Sequence, residues 1–423
     1  VYPIRGIVLY FSNNSHVLNV IGQDFYTYFP VLFLFSVLGG LSLLFGAVIA
    51  TGLPAKSNII INIFLPRGFN PKIATILLLY ATGLFAFILR VKFDLLQFGA
   101  GQVVTETVRD PRAFFLETIT GLKFIGYFFA LCRLYERKNT INFILAIILL
   151  VLETYFGLIS GSKADILFVI LPILVIHWNS RTKPVNYLKL VWVLLIFIVI
   201  AVPLVEGFRL FVYISSNGFD RLSLSNLSII FQFISELKLS TILELALSRF
   251  HAFDSLVLLY DKIDEIGFSL GSTLYLFFAA FFPRAFWPEK PNITLGSWFN
   301  TEIWNPHLDY TVNAGISIFL PNDLYLNFGF FGFILFLFLM GFFIARMSVY
   351  LHVFSYRSPY IAVFYIFLLT RFSILWEGGF AAYLSGWAKV TIFYVVIFQV
   401  LSTIQRLRLR ASRKSVKNIK YSV

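Results

Sequence analysis

One cysteine, Cys132, stands in 423 residues, so the chain closes no internal disulfide and builds no thiolate metal cage. Charge is scarce as well. Only 13% of residues are Asp, Glu, Lys or Arg while 59% are hydrophobic, and soluble domains carry about 25% charged residues. A water-soluble fold is excluded on that ground. The sequence also lacks a P-loop, a His-Glu-x-x-His pair and an Asp-x-Asp pair that would gather a divalent metal around a nucleotide sugar. Chemistry on a cytosolic nucleotide is disfavoured, and no metal and no cofactor is expected. The five histidines are dispersed along the chain.

What is present is long apolar runs. They come in blocks of roughly 20 residues, the length an α-helix needs to cross about 30 Å of hydrocarbon, whereas barrel strands would be shorter and would alternate. The fold class expected is therefore all-α, a polytopic transmembrane protein. The clearest spans are residues 28–52, 73–89, 141–158, 166–178, 188–205, 324–345, 360–376 and 387–404. A weaker one, 113–131, is interrupted by Glu117 and Lys123, whose polar ends must face other helices or water. Residues 1–11 read as the tail of a truncated or short first span, which brings the expectation to about ten spans.

Charge orients the spans. The formal net charge is +13, and Arg406, Arg408, Arg410, Arg413, Lys414, Lys417 and Lys420 crowd the stretch after the last span. A polybasic run in that position is a cytoplasmic anchor beside anionic lipid rather than a nucleic-acid site. Walking backward from a cytoplasmic C-terminus, the short inside loops should be rich in Lys and Arg. They hold Arg346 and Arg357, then Arg181 and Lys183, then Arg133, Arg137 and Lys138, then Lys56, Arg67 and Lys72. The organisation expected is an N-terminal bundle over 1–205, a large external segment over 206–323, C-terminal helices over 324–404 and a basic cytoplasmic tail over 405–423. The walk holds only if the apolar piece 269–282 does not cross. Its 14 residues are short for a span and suit a re-entrant or surface-lying helix.

The external segment mixes Arg209, Arg249, His251, Asp254, Arg284, Lys290 and Asp323 with apolar and aromatic neighbours. Scattered guanidinium groups among apolar residues fit individual clamps on phosphate oxygens, because each presents a bidentate donor fork; ordinary solvated surface charge is the alternative. Lys163, in Gly161-Ser162-Lys163, falls at a tight outer turn before a helix N-terminus, which favours an anion. Arg371 lies inside an apolar span, where a cation is costly unless it lines a polar cavity or meets a partner such as Glu377. Three prolines in the stretch 283–291 fix the backbone around Arg284.

Three short stretches carry a resemblance: Gly161-Ser162-Lys163 before an apolar span, Pro283-Arg284 with Trp287-Pro288-Glu289-Lys290-Pro291, and Leu320-Pro321-Asn322-Asp323 leading into Gly329-Phe330-Phe331-Gly332. In them, and in layout over about residues 141–389, the chain resembles bacterial O-antigen polymerases of the Wzy type. That resemblance implies a multi-pass enzyme of the bacterial inner membrane, a metal-independent glycosyltransferase of the GT-C kind. Such an enzyme moves a growing glycan from one undecaprenyl diphosphate onto the repeat unit carried by another on the periplasmic face, as a step of lipopolysaccharide biosynthesis. The partners implied are undecaprenyl-diphosphate-linked oligosaccharide, membrane lipid and a chain-length regulator. This sequence has Lys163 where the family often has Arg, which keeps the charge and loses the fork.

Under this reading Arg249 and Arg284, then Arg209, Lys163, Arg371 and Lys290, meet the diphosphate and offset the negative charge that develops on the leaving group. His251 is the leading candidate for the base that takes the acceptor hydroxyl proton, with Asp254, Asp323 and Glu377 behind it. The competing expectations are an O-antigen ligase, and a transporter or flippase of the same lipid-linked oligosaccharide. Transport folds usually show two related halves, and no matching halves are found here.

Overall fold

The computed structural model describes residues 24–54, 71–93, 111–159, 252–282, 286–291, 295–304, 318–355 and 379–420, together with 95, 165–166, 168–170, 172–173, 232 and 360. The described residues are helical, with no strand among them. The elements are α1 (Asp24–Gly52), α2 (Ile73–Lys92), α3 (Pro111–Glu136), α4 (Thr140–Ile159), α5 (Ala252–Ile266), α6 (Leu276–Ala279), α7 (Gly296–Phe299), a π-helical turn (Asn300–Trp304), α8 (Leu320–Ser355) and α9 (Gly379–Lys420). Six helices, α1, α2, α3, α4, α8 and α9, are long and apolar enough to cross a membrane. They coincide with six of the spans expected from hydropathy. The other expected spans, over 1–11, 188–205, nearly all of 360–376 and most of 166–178, lie outside the described residues.

Two helix pairs are closed by glycines. Lipid tails are as apolar as leucine, so helices associate in a bilayer through close packing, and small residues let their backbones approach. On α1 and α8 a Cβ at Gly46 would collide with the Phe338 carbonyl oxygen, and one at Gly341 with that of Leu43. On α2 and α3 a Cβ at Gly83 would collide with the Lys123 backbone nitrogen, and one at Gly126 would stand 2.9 Å from that of Tyr80. Helix α9 joins the pairs. Its Trp387 ring meets Phe343 of α8 with centroids 5.7 Å apart, and its Phe398 ring meets Phe129 of α3 at 5.2 Å.

These contacts order the ends of the helices. Residues 35, 42 and 50 of α1 meet 330, 334 and 346 of α8 in the same sequence direction, so the two run parallel, while α2 and α3 run antiparallel. One end of the bundle, the basic end, gathers Lys72, Arg133, Arg137, Lys138 and Arg346. There Arg346 donates to the carbonyls of Leu53 and Pro54 at 2.6 Å each, satisfying groups left over at the end of α1. Arg133 likewise donates to the Pro71 carbonyl at 2.7 Å. The opposite or far end holds the start of α1, α3, α8 and α9, with α5, α7 and the π-helical turn packed on it through Phe253, Leu256, Phe299 and Ile303 and α6 set against α9.

Lys123, expected to face another helix or water, faces a helix. Its ammonium lies 2.6 Å from Glu153 of α4, and the two side chains are 2% and 0% exposed. The same ammonium sits 3.9 Å from the centroid of the Phe124 ring and 5.4 Å from that of Phe87, a cation–π environment that stands in for part of its lost hydration.

Candidate functional site

The far end of α8 is built around a break. Gly329 has φ 63° and ψ −159°, a conformation open essentially to glycine alone, and it divides α8 into a short segment before it and a long one after it. A Cβ at Gly332 would collide with that of Phe328. The two glycines of Gly329-Phe330-Phe331-Gly332 thus have separate reasons, one conformational and one steric. A break frees carbonyls that need donors if they are not to be orphaned at membrane depth. The Ser269 N–H donates to the Leu326 carbonyl at 2.9 Å, and the Gly271 N–H donates to Asn327 Oδ1 at 2.9 Å.

That pairing reshapes the segment 269–282, expected from sequence to be one short helix. It forms instead a run of tight turns, with Ser272 N bonded to Ser269 O, Leu274 N to Gly271 O and Phe277 N to Leu274 O, and the single four-residue helix α6 within it. Gly267 and Gly271 take positive φ, and so does Leu270 at 47°. The polar groups at its start are drawn toward α8, and so do not continue a helix of their own.

At the centre lies Asp323, 1% exposed. Its Oδ1 accepts from the Thr273 hydroxyl at 2.9 Å and from Asn327 Nδ2 at 3.0 Å, and its Oδ2 accepts from the Phe380 N–H at 2.7 Å. Asn327 Nδ2 also donates to the Asp323 carbonyl and to Thr273 Oγ1, each at 2.7 Å. The carboxylate stands in the first turn of α8 and caps the first turn of α9, so two helix dipoles point their positive ends at one buried anion. Gly379 makes room for this, since a Cβ there would come within 3.1 Å of Asp323 Oδ2 and its φ is +74°. Asp323 therefore ties three separate pieces of chain: the turns after Ser269, the start of α8 and the start of α9. With three donors on its two oxygens it is suited to hold these pieces in register rather than to take a proton from a ligand.

Asp254 lies in the first turn of α5 and is buried. Lys290 is buried too. Its ammonium turns back onto the carbonyls of Ala280 and Phe282 at 3.4 and 3.0 Å, and its N–H closes a turn onto the Trp287 carbonyl at 3.1 Å. It closes the loop that carries Arg284 in sequence, as a lysine at a helix end commonly does. Lys163, Arg209, Arg249, His251, Arg284, Arg371 and Glu377 lie outside the described residues. Among the described residues no three His, Cys, Asp or Glu side chains come together as a metal site.

Sequence reasoning missed Thr273, Asn327 and Glu153. Asn327 had a usable signal, four residues after Asp323 and hence on the same helix face; Thr273 had none. It also passed over the cations where the end of α2 meets the start of α3, with Arg112 stacked 4.5 Å from the centroid of the Phe93 ring. Arg90 and Lys92 close the last turn of α2 at the same end.

A family described as Domain of unknown function (DUF8712) matches residues 55–409. No curated protein and no solved structure matches the chain.

Proposed function

The chain belongs to the DUF8712 family, and we propose that it is a metal-independent membrane glycosyltransferase. In this reading it polymerises oligosaccharide repeat units carried on undecaprenyl diphosphate. The observation that carries the proposal is the Asp323 tie. It lies in the Leu320-Pro321-Asn322-Asp323 stretch of the resemblance, and it joins two other segments that border the candidate cations in sequence. The turns after Ser269 lead into Pro283-Arg284, and the start of α9 follows Arg371 and Glu377. Such a tie suits a site assembled from an external segment and the ends of spans.

The positive-inside rule orients this site. With the basic end and the C-terminal run in the cytoplasm of a bacterium, the far end, which carries α5 to α7, faces the periplasm. About ten spans fit that orientation.

The acceptor sugar hydroxyl attacks the anomeric carbon of the donor glycan, the bond from that carbon to the diphosphate oxygen breaks, and the hydroxyl proton passes to a base. Arg249, Arg284, Arg209, Lys163 and Arg371 offset the charge that grows on the departing diphosphate. His251 is the leading base, with Glu377 and Asp254 behind it. Asp323 and Lys290 act as positioning residues, through the segments they hold.

The test is purified protein with lipid-linked repeat units as the sole substrate. A ladder of chain lengths is expected, and Arg284→Ala should abolish it while the protein still inserts and purifies as a single species. A strict requirement for a lipid A core acceptor would make the enzyme a ligase. An unaltered ladder from Arg284→Ala would remove that residue from the site.

A further inference from the structure

Depth in the bilayer can be read along α8. Arg346 holds the basic end by bonding the carbonyls of Leu53 and Pro54, and a helix rises about 1.5 Å per residue, so about 20 residues cover the roughly 30 Å hydrocarbon core. Counting back from Arg346 to Phe330, the unbroken helix rises about 25 Å, which sets the break at Gly329, with Leu326 and Asn327 just before it, near the far edge of that core. These are the residues whose carbonyl and side chain hold Ser269 and Gly271. The turns 269–282 are thus fastened to the span at the level where hydrocarbon gives way to headgroups on the far side.

The outward face of those turns is strongly apolar. Leu270 is 82% exposed, Phe278 69% and Phe286 79%, with Phe282 exposed beside them. Side chains of this size are rarely left together in water. The patch also continues into a surface that lipid must cover. Phe331, just past the break, is 77% exposed, and Leu335, Leu339 and Phe343 follow it at four-residue spacing down one face of the span. The join is direct, since Phe268 packs at 3.5 Å from the position of a Cβ on Gly329, and Phe328 at 3.6 Å from one on Gly271. Lys290 is folded back onto the inner side of the loop, so it does not interrupt the apolar face. Phe282 and Trp287 close the loop edge to face, with centroids 6.4 Å apart, and an indole at this level is the usual aromatic anchor of a membrane interface.

We propose that the turns from Ser269 to Phe282, with Phe286 and Trp287, are an interfacial wedge, whose exposed Leu270, Phe278, Phe282 and Phe286 lie among the acyl chains of the far leaflet. The wedge requires only that α8 spans a bilayer, and is independent of what the protein transfers. Its consequence for any chemistry at this end is a fixed depth.

The test uses full-length protein in lipid nanodiscs, in a Cys132→Ala background, with a spin label at one position at a time. Phe278→Cys and Phe286→Cys are the test positions, Leu339→Cys is the reference for lipid and Glu265→Cys the reference for water. Monodisperse elution shows that each labelled variant is folded. At 278 and 286 collisional relaxation by oxygen should exceed that by a water-soluble nickel chelate, as at 339. Relaxation dominated by nickel, as at 265, would overturn the proposal by placing the face in water. Low accessibility to both reagents would overturn it too, because the face would then be covered by protein.

Discussion

The sharpest energetic consequence of the fold lies in the buried pair of Lys123 and Glu153. Both side chains are almost fully removed from solvent, at 2% and 0% exposure, and their charged atoms are 2.6 Å apart. Breaking such a pair by removing one partner costs about 3–5 kcal/mol, since the remaining charge is left buried without compensation, whereas replacing both by apolar groups of similar volume is often neutral. Lys123→Met should therefore lower stability by about 3 kcal/mol or more, roughly a hundredfold in the folded-to-unfolded ratio. Protonation of the orphaned Glu153 limits the loss to the lower part of that range. The double variant Lys123→Met with Glu153→Leu should recover most of it. Cys132 supplies the assay. It is the sole cysteine and is buried in α3, so a thiol-reactive dye that fluoresces on reaction reports the opening of the very helix that carries Lys123. Equal melting midpoints for Lys123→Met and the parent would refute the reasoning, and so would a double variant as unstable as the sum of the two single ones.

The same dye assay separates structural from chemical roles at the far end. Asp323→Asn replaces an acceptor oxygen with a donor facing either Phe380 N–H or the Thr273–Asn327 pair, and should cost about 1–3 kcal/mol; full stability with activity abolished would instead make Asp323 a group that touches substrate. Gly329→Ala forces a Cβ onto a backbone that only glycine adopts readily and should destabilise by about 1–3 kcal/mol, read as a lowered midpoint. Gly46→Val drives a branched side chain into the Phe338 carbonyl, and should separate α1 from α8 at a cost of about 1–3 kcal/mol or more. Under the proposed function, Lys163→Arg should retain glycan polymerisation if charge is what that position supplies, and its loss would assign the position a geometric role.

Composition and the length of apolar runs determined that this chain is helical and crosses a membrane, because a segment that must hide its backbone polar groups in hydrocarbon has few alternatives to a helix of about 20 residues. Six spans were legible that way, although α8 and α9 run well past the expected limits of 324–345 and 387–404. The need of Lys123 to face another helix or water was legible too, because a charge among apolar neighbours is a visible anomaly. Its partner was not. Glu153 lies 30 positions further along the chain, and nothing short of the antiparallel packing of α3 on α4 brings the two together. The break at Gly329 also escaped the sequence, since hydropathy runs through it without interruption and only the backbone angle reveals it. The Leu320-Pro321-Asn322-Asp323 stretch could be singled out by pattern. That its carboxylate closes a knot among residues 273, 323, 327 and 380 was decided by tertiary structure alone, because hydrogen bonds between segments 50 to 57 residues apart leave no periodicity in the chain that makes them.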